Sequence, residues 1–167
     1  MSEPDRNSPA ALPDGTLVRL QTQLDSLNAI LAGATEAELA RRPANGKWSA
    51  REHLAHLGRY HEVFLERLDR MLAEDSPQLG RYRTEDDPGA EAWFAMSAAQ
   101  VVERMSKLRA ELVERVAKLG PGELRRIGVH PAFGEMSLTL WVEFFLVHEG
   151  HHLYAILKLA RGEANRS

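Results

Sequence analysis

The 167-residue sequence predicts an all-α protein, a four-helix bundle, on three observations. Four long segments repeat apolar residues at intervals of three and four, which keeps them on one face of an α-helix. Helix-starting and helix-stopping residues bracket those segments. No segment has the alternation or hairpin chemistry of a strand, and no internal repeat is present.

The elements follow in order. Residues 1–13 are rich in Pro, Ser and charge and predict a mobile tail, leaving residues 14–162 for the domain. From Thr16, Leu17, Leu20, Leu24, Leu27 and Leu31 form the stripe of a first helix that Gly33 stops. Thr35 and Glu38 form a capping box that starts one short turn before Pro43. Ser49 and Glu52 form a second, and the second helix runs unbroken to about Ala73. Residues 74–89, with Pro, Gly and charge, predict a long connection crossing from one end of the bundle to the other. Pro88 and Gly120 bracket a third helix whose inward face is Trp93, Met96, Val101, Met105, Leu108 and Leu112. A loop over residues 121–135 contains HPAFG, and the fourth helix spans Ser137 to Ala160.

Composition removes whole classes of function. There is no cysteine, so disulfides, thiolate ligands and a cysteine nucleophile are excluded, and any metal must rest on histidine and carboxylate. With 21 basic and 24 acidic residues the net charge is −3 and no Lys/Arg cluster stands out, so no nucleic-acid partner is expected. No apolar run approaches membrane-spanning length, and the first residues lack the apolar centre of a secretory signal. A cytoplasmic location with no membrane partner is the expectation.

The sharpest motif is His148-Glu149-Gly150-His151-His152, a literal H-E-x-x-H. At about 100° per residue His152 falls roughly 40° from His148, so both point into the bundle among Trp141, Phe144 and Phe145. Glu149 and His151 fall on the rims of that face, and Gly150, Leu146 and Leu157 outside it. One inward histidine is ordinarily a hydrogen-bonded core residue. Two at i and i+4 would each need an acceptor and would repel when protonated, and a divalent metal resolves both problems. A zinc protease is disfavoured: after His152 the chain reads Leu153-Tyr154-Ala155-Ile156-Leu157-Lys158, without a further ligand of the zincin kinds. A third ligand must come from another helix. The second offers Glu52, His53, His56 and His61, each with an ordinary structural explanation, and periodicity does not choose among them.

Trp48, Ser49, Glu52, His56 and Leu57 in WSAREHLAHL, together with the stretch from HPAFG through HEGHHLYAI, resemble the DinB superfamily, which includes YfiT-like proteins and the bacillithiol and mycothiol S-transferases. The resemblance implies a four-helix bundle, often dimeric, with zinc, nickel or another divalent metal held by three histidines. Matched to those motifs, these are His56, His148 and His152, with His53 and His151 as neighbours outside the pattern. The activity implied is a metal-dependent thiol S-transferase, joining a low-molecular-weight thiol co-substrate to a small electrophile. Tyr60 and Glu52, one turn either side of His56, are candidates for orienting ligands or moving a proton. A metal-dependent hydrolase and a non-catalytic metal-binding stress-response module are the alternatives. A homodimer through outward Leu146 and Leu157 is also expected.

Overall fold

A computed structural model describes residues 12–162. Of the tail read for residues 1–13, all but Leu12 and Pro13 lie outside the described residues. The elements run α1 (Asp14–Thr22), a 3-10 turn (Gln23–Asp25), α2 (Ser26–Ile30), α3 (Glu36–Ala40), α4 (Ala50–Ala73), a 3-10 turn (Thr84–Asp86), α5 (Ala90–Phe94), α6 (Ala98–Ala117), α7 (Pro121–Leu124), β1 (Ile127–His130), β2 (Gly134–Ser137) and α8 (Leu138–Ala160). The four arms of the bundle are α1/α2, α4, α5/α6 and α8, with α4 packed against both α6 and α8.

The capping boxes at Thr35 and Ser49 form as read, each with its side chain bonded to the amide three residues on and the glutamate returning. Two arms are broken where apolar spacing predicts continuity. The first tightens into a 3-10 turn at Gln23–Asp25, beside a Leu20 carbonyl that accepts from Arg109 Nη1 at 2.7 Å. The third begins as the single turn α5 and restarts at α6, because Ser97 and Gln100 make a reciprocal capping box inside the apolar repeat. Gly58 on α4 makes room for α5, since a Cβ there would lie 2.2 Å from the Trp93 ring.

A β-hairpin stands where the sequence predicts only a loop. β1 and β2 pair antiparallel from Ile127↔Ser137 to His130↔Gly134, and Gly134 closes the turn at φ +72. A three-residue loop followed by a residue at positive φ is a standard hairpin closure, but four-residue strands are too short for alternation to register. The hairpin is an appendage and leaves the bundle intact. The long connection runs beside it: Leu79 N donates to Val129 O and Val129 N to Pro77 O, both at 2.9 Å.

Two apolar clusters fill the interior. One gathers Leu20, Phe64, Leu112, Trp141 and Phe145, the other Leu27, Leu54, Trp93, Val101 and Ile156. Each arm carries one polar residue at the level between them: Gln23, His61, Arg109 and Glu149. Arg109 and Glu149 form an ion pair. Gln23 Nε2 donates to Glu149 Oε1 at 2.9 Å, and Arg109 Nε donates to His61 Nε2 at 3.1 Å. His61 Nδ1 donates to Leu57 O at 2.7 Å, which completes the layer. Glu149 is thus not on a rim, as its helical angle suggests, but 1% exposed. Leu146, read as outward, is also buried, because α1 and α2 cover that side of α8. The outer face of α8 instead shows Leu140, Val147, Tyr154 and Leu157.

Candidate metal centre

α4 and α8 lie side by side, and their facing stripes bring His56 together with His148 and His152. One ring nitrogen from each lies within 4.8 Å of the other two. His56 Nε2 stands 3.1 Å from His148 Nε2. The His152 ring centre is 4.4 Å from that of His56 and 4.6 Å from that of His148.

Neighbours decide which nitrogens face inward. His56 Nδ1 pairs with Thr84 Oγ1 at 2.9 Å, which leaves Nε2 for the cluster. His152 Nδ1 pairs with His53 Nδ1 at 2.8 Å, with the same result. His148 Nδ1 is buried without a partner among the described residues. Trp48 covers the group, its ring 5.2 Å from that of His56, and Tyr60 packs 4.2 Å from His148.

Burial penalises the charged imidazolium and lowers His56 to about 3, His148 to about 4 and His152 to about 2, with neighbouring histidines adding to each shift. His53 falls to about 4 for the same first reason. All four rings are neutral at pH 7, and the inward nitrogens of His56, His148 and His152 face one another with few protons to separate them. Neutral imidazole is the form that ligates a metal, and these residues fit a divalent ion. The donor set suits zinc, nickel, copper or iron alike.

The histidines floor a cavity of about 720 Å³. Its walls come from the long connection (Tyr82, Thr84), the hairpin (His130, Phe133), and Tyr60 and Phe144 of the bundle. Burial raises the Tyr60 phenol, with Arg67 opposing, so it stays protonated. Its oxygen accepts from Arg67 Nη1 at 3.0 Å.

Of the residues singled out in the sequence, His56, His148, His152 and Tyr60 come together here, with His53 behind His152. Glu52 does not join them. Its carboxylate takes the Ser49 amide at 2.8 Å and Arg42 Nε at 3.0 Å, both capping-end contacts. His61 is committed to the polar layer and His151 is exposed. Thr84, Tyr82 and Arg67 escape sequence reasoning. The first two lie in a connection without periodicity, and Arg67 is an ordinary charge in a helix. His130 carried a signal, since it opens the HPAFG motif.

A bundle with three convergent histidines between its second and last arms defines the class. The chain belongs to the DinB superfamily, whose family model matches residues 19–156. Among curated proteins it is similar to the uncharacterized protein YuaE of Bacillus subtilis (strain 168), with 24% identity over 135 residues, 74% of this chain and 83% of that one. Among solved structures it is similar to YfiT from Bacillus subtilis, described as "a probable metal-dependent hydrolase with an unusual four-helix bundle topology". That match has a TM-score of 0.77 at 18% identity and covers 97% of this chain and 93% of the other. At that identity the likeness establishes the fold.

Proposed function

We propose that the chain is a divalent-metal-dependent enzyme in which His56, His148 and His152 hold the ion and the cavity above them receives a small-molecule substrate. One observation carries this: three neutral imidazoles converge on the floor of a cavity of about 720 Å³. A purely structural ion would sit in a closed shell, whereas an open side is what catalysis requires. Zinc and nickel are the expected ions.

The reaction favoured is transfer of a low-molecular-weight thiol to an electrophile: the sulfur forms a bond to an electrophilic carbon, whose leaving group departs, and the thiol proton passes to solvent. A bound divalent ion supplies the positive charge that lowers the pKa of a thiol or of water. The remaining tasks fall to the chain. Thr84 and His53 fix the rings of His56 and His152. Tyr60, whose hydroxyl proton has no acceptor among the described residues, can donate to an oxygen or leaving group in the cavity. Tyr82, Phe133 and Phe144 provide apolar walls. The likeness to YfiT favours hydrolysis as the second reading, with the same three histidines.

The test is metal analysis of purified protein, followed by conjugation of a low-molecular-weight thiol to an activated aryl halide and hydrolysis of activated esters and amides. Metal-dependent conjugate formation is expected. Hydrolysis without conjugation would establish the second reading, and bound metal with neither activity would leave a non-catalytic stress-response module. A homodimer belongs to the same proposal, supported by the exposed stripe Leu140, Val147, Tyr154 and Leu157. Sedimentation showing only monomer at high concentration would remove it.

A further inference from the structure

We propose that Arg67, with His130 beside it, is the subsite that receives an oxyanion, so the substrate is a small organic acid with an apolar or aromatic body ending in a carboxylate or phosphate. The inference rests on the cavity being the substrate site and goes on to name the substrate's class.

Arg67 is 7% exposed, close to the 5% of Arg109, yet the two differ in their company. Arg109 is in contact with Glu149. Arg67 is bonded to the Tyr60 hydroxyl and, at 2.7 Å, to the Gly80 carbonyl, both neutral, and its guanidinium lies 5.2 Å from the centre of the Trp141 ring. No carboxylate pairs with it among the described residues. A buried cation without a counter-charge is unfavourable by several kcal/mol, and proteins ordinarily pair it. Here the unmatched charge borders the cavity whose floor is the histidine cluster.

Two further features suit an acid with an apolar body. His130 Nδ1 accepts the Ala132 and Phe133 amides at 3.1 and 3.2 Å, so in the neutral ring the proton must sit on Nε2 as a donor. Burial lowers His130, and the charges of Arg67 and Arg81 add to that, which keeps the ring neutral. The other charges on this wall are exposed and largely matched, Arg83 with Asp86 at 3.4 Å and Arg81 near Glu85, so the buried Arg67 is the charge without a counterpart. Two aromatic rings, Phe133 and Phe144, lie within contact of His130 or each other, at 4.7 to 5.8 Å between centres. An acid with a flat apolar body fits both halves of this wall: a guanidinium can take two oxygens at once, and the rings take the body.

The test uses the full chain and calorimetric titration with phenylacetate, phenyl phosphate and the neutral phenylacetamide, on metal-free and metal-loaded protein. Both acids should bind at least about tenfold more tightly than the amide in either state, and the tighter of the two identifies the oxyanion. Arg67→Met should lose about tenfold or more for the acids and leave the amide unchanged. Equal binding of acids and amide by the unaltered chain would overturn the proposal, and that comparison needs no variant to fold. Wild-type affinity for the acids in Arg67→Met would overturn it too. So would a preference for acids seen only with metal, since the anion would then sit on the ion. Failure of the chain to take up metal would sink the proposed function while leaving the metal-free titration decisive for Arg67.

Discussion

Two groups of polar side chains inside the bundle lie within a few turns of each other, and they are built on opposite plans. In the polar layer Gln23, His61, Arg109 and Glu149 each meet a complementary partner. In the pocket His56, His148 and His152 present like to like, with nitrogens that cannot all be satisfied by one another. Saturation marks the layer as structural and its lack marks the pocket as a site. Burial alone would not have separated them: His61 is 0% exposed and His56 6%. Glu149 shows the point most directly. The H-E-x-x-H spacing that places two histidines in the pocket turns the glutamate between them into the layer, where it neutralises Arg109 instead of activating water.

The contrast can be broken by exchanging the roles. Glu149→Gln strips the layer of its negative charge and strands Arg109, which should cost about 3–5 kcal/mol of stability, read by chemical denaturation. Its metal content per folded molecule should match wild type. Loss of metal with unchanged stability would mean that the carboxylate serves the site after all. His152→Ala should do the reverse and lower metal affinity by about 100-fold or more with a smaller effect on folding, measured by competition with a chelator. His151→Ala should hold metal as wild type does.

Acid should weaken the layer. Burial and Arg109 hold His61 at about 3, against about 6.5 in the unfolded chain. The unfolded state therefore takes up a proton first. His61's contribution is complete above about pH 6.5 and is lost as pH falls toward 3, at up to about 1.4 kcal/mol per pH unit. Denaturation midpoints at pH 7, 6 and 5 should fall less steeply in His61→Gln than in wild type, and parallel slopes would contradict this. A smaller effect on metal than that of His152→Ala is expected at the edge of the pocket. Thr84→Val keeps shape but removes the partner of His56 Nδ1, and metal affinity should drop about tenfold. An unchanged affinity would show that packing under Trp48 is enough to aim the ring.

Much of this was legible beforehand, for reasons that differ along the chain. The long helices announce themselves through apolar period and caps, as Ser49 with Glu52 shows at the start of α4. His148 and His152 were legible because i and i+4 share a face. His56 was one of several candidates until the family resemblance selected it, since helical angle cannot say which neighbour a face will meet. The break at Ser97 was written in the capping box and overridden by the apolar repeat around it. The 3-10 turn at Gln23 was not written at all, because it accompanies contacts to Arg109 and Glu149 from distant segments. Arg67 and Thr84 were silent for the same reason: what distinguishes each is the absence or presence of a partner far away in sequence.

The clasp between the long connection and the hairpin has a consequence for how such a protein could diversify. Leu79 and Val129 bind the two cavity walls to each other through backbone atoms, which no side-chain replacement other than proline removes. Residues 131–133 and 81–86 can therefore vary in size and charge while the frame that carries them keeps its register. The histidines stand on rigid helices outside that frame. Selection can reshape what the chamber admits and leave its floor untouched, as a lock is rekeyed without replacing the bolt.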